Sequence, residues 1–291
     1  MTEKKESIRL TSLPLYKIQA MSFADLGLAP ALLSAIQRAN YDAPYPIQIE
    51  AIPALLQGKD LLGLAPTGSG KTAAYILPIL QQLLSKESPR ERAVPVLVIV
   101  PTRELAVQVA EVAENFSRFL PRRIKSLAIF GGVSINPQMM KLAGTEILIA
   151  TPGRLIDLMG RNSVSISRIQ TLVIDEADKV LQMGFREEME HILEYVPKKK
   201  QTLMFSATLD HAEVNELALS LLRDPYRVAL GAGYDPHKDI SQKCFFADNL
   251  THKEALLLHF LKTEVVRQLI LFTATREDTD RLAALVQKAG F

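Results

Sequence analysis

Six short apolar runs, most of them closing on small, hydroxylated or charged residues, constrain this chain more than any other feature. They cover Asp60–Ala65, Val94–Thr102, Ser126–Gly132, Thr145–Thr151, Thr171–Asp178 and Gln201–Thr208. Most are rich in Val, Ile and Leu without polar alternation, the pattern of strands buried on both faces. Helix-period stretches lie between them, including Thr72–Leu84, Glu104–Phe119 and Arg186–Tyr195. Strand alternating with helix predicts an α/β fold, a parallel sheet with helices on both faces. Ligands of such folds sit outside the carboxyl ends of the strands, where the polar tails of these runs fall.

The stretch Leu230–Ile240 breaks this rhythm with Gly231, Gly233, Pro236 and a mixture of Asp and Lys, and reads as a linker. The expected division is a tail over 1–19, a first domain over 20–229, a linker over 230–240 and a partial second α/β domain over 241–291. In the last, Ser241–Asp248 and Gln268–Thr273 read as strands, and Lys253–Leu261 and Thr279–Lys288 as helices. A unit that small buries little apolar surface and leaves sheet edges open.

Composition bounds the environment more than the chemistry. With 34 basic and 32 acidic residues the formal charge is +2, so any affinity for nucleic acid must come from local arrangement. Cys244 is the single cysteine, which excludes an intrachain disulfide. The five histidines show no zinc-ligand spacing. The N-terminus is polar, and no apolar run approaches the roughly 18 residues of a membrane span. The expectation is a soluble cytoplasmic protein with no membrane partner.

Ala65-Pro66-Thr67-Gly68-Ser69-Gly70-Lys71-Thr72 follows a predicted strand and opens a predicted helix. That is the context a phosphate-binding loop requires, with Ala65 where the generic pattern has Gly. Gly68 and Gly70 permit a tight turn whose N–H groups, with Thr67 and Ser69, converge on one anion-sized concavity. The helix start adds its positive dipole end. Lys71 supplies a cation for the outer phosphates, and the Thr72 hydroxyl is a ligand for Mg²⁺.

The run Thr171-Leu172-Val173-Ile174 leads directly into Asp175-Glu176-Ala177-Asp178. Asp175, at the end of a buried strand, is placed to hold Mg²⁺ on the edge that carries the loop. Glu176 is placed to orient or deprotonate an attacking water. Phosphoanhydride hydrolysis needs positioning and charge neutralisation, which these residue types supply, making Lys71, Asp175 and Glu176 the catalytic candidates. An isolated acidic quartet also reads as an ordinary helix opening.

Together these residues resemble the DEAD-box family of RNA helicases, over roughly Ser22–Thr275. The resemblance implies a RecA-like parallel sheet, ATP and Mg²⁺ as cofactors, and RNA as partner through sequence-independent backbone contacts. Pro44-Tyr45-Pro46-Ile47-Gln48, with Phe23 upstream, is similar to the adenine-recognition motif. It gives Gln48 the adenine edge and Phe23 the base face; Gln48 also reads as a helix-start decoration. Asn40 and Tyr45 depart from the family's Gly and Thr. Pro101-Thr102-Arg103, Gly131-Gly132 and Thr151-Pro152-Gly153-Arg154 resemble RNA-contacting motifs, as does Thr275 after a further apolar run. Each read singly is also a turn or an ordinary helix start. Ser206-Ala207-Thr208 is similar to a coupling motif whose hydroxyls are expected to hydrogen-bond Asp178.

Nothing after Thr275 resembles the family's two later motifs, one of which carries arginines that stabilise the transferring phosphate and are worth about 10³ to 10⁵ in rate. The expectation is therefore a truncated RNA-stimulated ATPase and helicase, poorly active alone. An ATP-gated RNA clamp without unwinding and a related DNA translocase are the alternatives.

Overall fold

The computed structural model describes residues 21–85, 94–208, 212–230, 241, 243–263 and 268–291. The chain divides into two compact units, Met1–Tyr234 and Asp235–Phe291. Most of the expected linker, 231–240, lies outside the described residues.

Among its described residues the first unit holds seven strands: β1 Leu61–Leu64, β2 Val96–Ile99, β3 Ser126–Ile129, β4 Ile147–Ala150, β5 Thr171–Ile174, β6 Gln201–Ser206 and β7 Tyr226–Ala229. Their order across the sheet is β3-β4-β2-β5-β6-β1-β7, and every pairing is parallel. The helices are α1 Pro30–Arg38, α2 Pro46–Leu56, α3 Lys71–Leu84, α4 Arg103–Ser117, α5 Asn136–Lys141, α6 Pro152–Gly160, α7 Ala177–Gln182, α8 Arg186–Tyr195 and α9 Ala212–Leu221. A 3-10 turn, Phe23–Leu26, precedes them.

Alternate residues of each strand face opposite sides, so the sheet feeds two cores. Leu61, Val96, Val98, Val173, Leu203 and Phe205 join α1 to α4 on one face. Leu62, Leu97, Ile99, Leu172, Ile174 and Met204 join α6 to α9 on the other. Each such side chain contributes about 1.5–3 kcal/mol by burial, which is why the central strands are mostly apolar, with Thr171, Thr202 and Ser206 the buried polar exceptions. The parallel sheet with helices on both faces is as the sequence predicts.

β7 is the strand sequence reading missed. Tyr-Arg-Val-Ala offers no apolar run, because an edge strand needs burial on fewer sides. It is held from below by Asp60, whose carbonyl accepts from Tyr226 N at 2.8 Å. The Asp60 carboxylate accepts Thr202 N and Arg223 N at 2.8 Å each, stapling the entry of β1 to its neighbours.

The second unit contains α10 Leu250–Thr263 and α11 Arg276–Lys288. Phe245 and Phe260 pack with ring centroids 4.6 Å apart, and Arg281 pairs with Glu254. The two strands expected at Ser241–Asp248 and Gln268–Thr273 are not formed among the described residues. A strand is maintained by its ladder, and neither segment has one; Phe246 and Phe272 remain more than nine-tenths exposed. Among the described residues the second unit is thus a pair of helices with segments that are neither helix nor strand.

Gly63 sits in β1 where a Cβ would lie 2.6 Å from the Phe205 ring. Phe205 is fully buried and cannot step aside. Gly63→Ala is expected to cost about 1–3 kcal/mol by overpacking, lowering Tm by roughly 2–4 °C per kcal/mol; thermal melts matching the wild type would contradict this packing.

Candidate functional site

Because all strands run one way, their carboxyl ends share one edge, and the strand order sorts the polar tails into two strips. The neighbours β5, β6 and β1 deliver the acidic quartet, Ser206 and the phosphate loop. The neighbours β3, β4 and β2 deliver Gly131-Gly132, Thr151–Arg154 and Pro101–Arg103.

The loop leaves β1 still paired to β6, with Ala65 N donating to Ser206 O at 3.1 Å. Gly68 and Gly70 adopt φ of +82° and +89°, in the left-handed region that glycine enters without strain. Gly70 is doubly constrained: a Cβ there would meet Gln48 Nε2 at 2.7 Å and the Tyr45 ring at 3.0 Å. Lys71 opens α3, is buried, and its ammonium donates to Ala65 O at 2.9 Å. Thr72 follows in the first turn. Ser69 Oγ is buried with no hydrogen-bond partner among the described residues.

Asp175 is buried at the end of β5, and both its oxygens are held. Oδ1 accepts Glu176 N at 3.0 Å, and Oδ2 accepts the Tyr75 hydroxyl at 2.9 Å. Glu176 adopts φ +51° and ψ +51°, a left-handed conformation that costs a non-glycine residue about 1–2 kcal/mol. This backbone turns its carboxylate toward the loop: Thr67 Oγ1 donates to Oε1 at 3.4 Å, and Lys179 Nζ pairs with Oε2 at 2.9 Å.

Asp178 is reached from β6, but not by hydroxyls. Ala207 N donates to Asp178 Oδ2 at 3.1 Å, whereas the Ser206 hydroxyl donates to Thr208 O at 2.6 Å. The expected hydroxyl contacts are therefore replaced by a backbone one, since the short turn after β6 aims its peptide at the carboxylate. Thr208 Oγ1 is buried with no hydrogen-bond partner among the described residues.

Gln48 is fully buried at the third position of α2. Its Oε1 accepts Tyr45 N at 2.9 Å and its Nε2 donates to Gly70 O at 3.0 Å. It therefore caps its own helix and ties that helix to the phosphate loop, while its amide retains a second donor and a second lone pair. Phe23 is 5% exposed and belongs to the core, in a turn that packs on α2. Asn40 has φ +59°, and Asn is among the few residues that tolerate this conformation in place of Gly.

On the second strip, Thr102 caps α4 by accepting Leu105 N at 3.2 Å. The exposed Arg103 guanidinium lies 4.9 Å from the Phe130 ring centroid. Gly131 and Gly132 are exposed, and Gly153 is half-buried, whereas Pro101, Thr151, Pro152 and Arg154 are buried. Arg154 turns inward: Nη2 donates to Val133 O at 2.8 Å and Nε lies 3.5 Å from Asp157. Thr275 caps α11 in the second unit, accepting Asp278 N at 3.1 Å.

Three contributors escaped sequence reading. Gln138 clamps the Gly131-Gly132 loop, exchanging hydrogen bonds with Phe130 N at 3.0 Å and Phe130 O at 3.2 Å. Lys179 is three residues past Glu176, in the first turn of the helix that Glu176 precedes. Tyr75 stands one turn after Lys71 on the same face, which was the available signal.

Burial lifts the Asp175 carboxyl above the ordinary aspartate value of 3.8, and the charge of Glu176 adds to the lift; Lys71 and the Tyr75 hydroxyl oppose it. A carboxyl whose pKa is higher folded than unfolded weakens the fold as pH rises through that interval. Asp175→Asn is therefore expected to melt above wild type at neutral pH, with the difference shrinking as pH falls toward 3.8. Melting curves over a pH series check this; an Asn variant no more stable at neutral pH contradicts it.

A family model described as DEAD/DEAH box helicase matches residues 45–217. The ATP-dependent RNA helicase DeaD of Escherichia coli is 40% identical over 271 residues, covering 93% of this chain and 42% of that protein. The ATP-dependent RNA helicase SrmB of Haemophilus influenzae is 41% identical over 271 residues, covering 92% of this chain and 61% of its own length. The ATP-dependent rRNA helicase rrp3 of Sclerotinia sclerotiorum is 40% identical over 273 residues, covering 93% and 55%. The chain thus spans about half the length of the curated relatives it matches. Since the matched stretch exceeds half of the chain and holds the phosphate loop, the acidic quartet and both strips of strand ends, the chain belongs to the DEAD/DEAH box helicase family.

Proposed function

We propose that this chain is the ATP-binding core of an RNA helicase, an RNA-stimulated ATPase acting on RNA through its backbone and working in the cytoplasm. The observation that carries this reading is the convergence of Lys71 and Thr67 after β1 with Asp175 and Glu176 after β5, on either side of β6 and beside a second strip able to receive a nucleic-acid backbone.

Each residue has a chemical task. Loop N–H groups and Lys71 receive the phosphates, and Gln48 offers its remaining donor and acceptor to the adenine edge while Phe23 supports that side. Glu176, paired with Lys179 and aimed by Thr67, is suited to orienting a water and taking its proton. Asp178 and the Ser206–Thr208 turn join β5 to β6, so a change at the nucleotide is felt at the next strand.

The donor set fits Mg²⁺. Thr72 and Asp175 offer hard oxygen ligands, and no group of three or more His, Cys, Asp or Glu able to hold a metal exists among the described residues. Mg²⁺ is the ion held by one or two carboxylates plus substrate phosphates rather than by an all-protein cage. When bound it would neutralise phosphate charge.

No described helix is long and apolar enough to cross a membrane. The RNA strip works by shape: helix starts at Thr102 and Thr151, exposed glycines and Arg103 favour phosphates and 2′-hydroxyls over base edges.

Lys71→Ala is expected to abolish nucleotide binding, and Glu176→Gln to preserve it while lowering turnover by about 10² to 10⁴. Calorimetric titration with ATP and phosphate release check the two; equal affinity in wild type and Lys71→Ala would overturn the site. Arg103→Ala is expected to weaken RNA binding and flatten its log–log salt dependence by about one unit. Stimulation by RNA but not by DNA of the same sequence at one salt concentration supports the substrate. ATP-dependent RNA binding without turnover would favour the clamp.

A further inference from the structure

Tyr75 is a buried phenol against the Asp175 carboxylate that no step above uses. It is fully buried on α3, and its hydroxyl donates to Asp175 Oδ2 at 2.9 Å. The ring is fixed from behind: Phe205 of β6 packs on it at 5.3 Å between centroids and 42° between planes. Phe205 in turn occupies the space that Gly63 of β1 leaves by lacking a Cβ. A line of contact thus runs from β1 through β6 and α3 to the carboxylate at the end of β5.

The consequence for Asp175 follows from its donors. Oδ1 is held by the neighbouring peptide N–H and Oδ2 by the phenol, two directions that lock the plane of the group. Each carboxylate oxygen accepts two hydrogen bonds, so each keeps a lone pair in reserve. Both donors are neutral. A buried carboxylate paired with Lys or Arg would have its charge cancelled and its pull on a divalent ion reduced. Held by a phenol and a peptide, it is fixed in direction without a direct ion pair, while the Lys71 ammonium donates to Ala65 O and acts on it only through its charge.

We propose that Tyr75 is a positioning residue: its O–H sets the orientation of the Asp175 carboxylate and so the strength with which the nucleotide-loaded site holds Mg²⁺. This rests on the nucleotide-site reading given above. Partners that orient a metal-binding group typically change metal affinity by about 10- to 100-fold when removed.

The test measures binding of a fluorescent ADP to the 291-residue chain, in excess EDTA and in saturating Mg²⁺. The ratio of the two dissociation constants is the Mg²⁺-linked gain. Tyr75→Phe is expected to leave the EDTA affinity unchanged and to cut the gain by about tenfold. In an Asp175→Asn background the same substitution is expected to have no further effect, because the charged ligand that the hydroxyl orients is already gone. Phe205→Leu keeps the hydroxyl but removes the ring behind it, and is expected to lose part of the gain. An undiminished gain in either folded variant overturns the inference. Absence of nucleotide binding by wild type in both buffers overturns the nucleotide site itself, and this inference with it.

Discussion

Parallel strands cannot be joined by tight turns, so each must be returned to the start by a crossover that packs on the sheet. In this chain that requirement acts on all seven strands at once. It buries both faces, which makes the central strands predominantly apolar, and it sends every outgoing loop to one edge. Polar chemistry is thereby expelled from the sheet and collected where β1, β5 and β6 end. The two cores and the clustered polar edge have a single geometric origin.

Concentrating charge at that edge sets a second problem, since a buried carboxylate is costly unless something answers it. Each acid meets this differently. Asp178 takes a peptide N–H from the neighbouring strand, and Glu176 takes a lysine and a threonine. Asp175 takes only neutral donors, and its raised titration records what those donors leave uncompensated. Glu176 also holds a left-handed backbone against an intrinsic preference of about 1–2 kcal/mol. Strain and desolvation therefore coincide at two consecutive residues, the pattern expected where a site is held ready rather than merely stable.

What sequence could disclose depended on whether the information was local. The phosphate loop and the Asp175–Asp178 quartet were legible because each places its chemistry within a few residues. The strands were legible where burial on both faces demanded unbroken apolar runs, and β7 was not, because an edge strand makes no such demand. Ser241–Asp248 and Gln268–Thr273 have the composition of strands, yet composition cannot provide a ladder partner. Tyr75 and Asp175 are 100 residues apart in sequence, and only the β5-β6-β1 order brings them together. The direction of Arg154 was likewise hidden: the residue type promised a projecting cation, and packing turned it inward to the Val133 carbonyl.

The seam between the two strips is the pairing of β2 with β5, in register from Val96 opposite Thr171 to Ile99 opposite Ile174. It closes with Asp175 N donating to Ile99 O at 2.9 Å. Ile99 leads within two residues to Pro101–Arg103, and Asp175 begins the acidic quartet. One peptide therefore belongs at once to the edge proposed for the nucleotide and to the edge proposed for nucleic acid. Sliding one strip against the other would break a ladder buried on both faces, so the sheet behaves as a stiff plate. Freedom to rearrange is left to the short segments beyond this last rung, which makes the Ile99–Asp175 bond the last fixed point that the two sets of loops share.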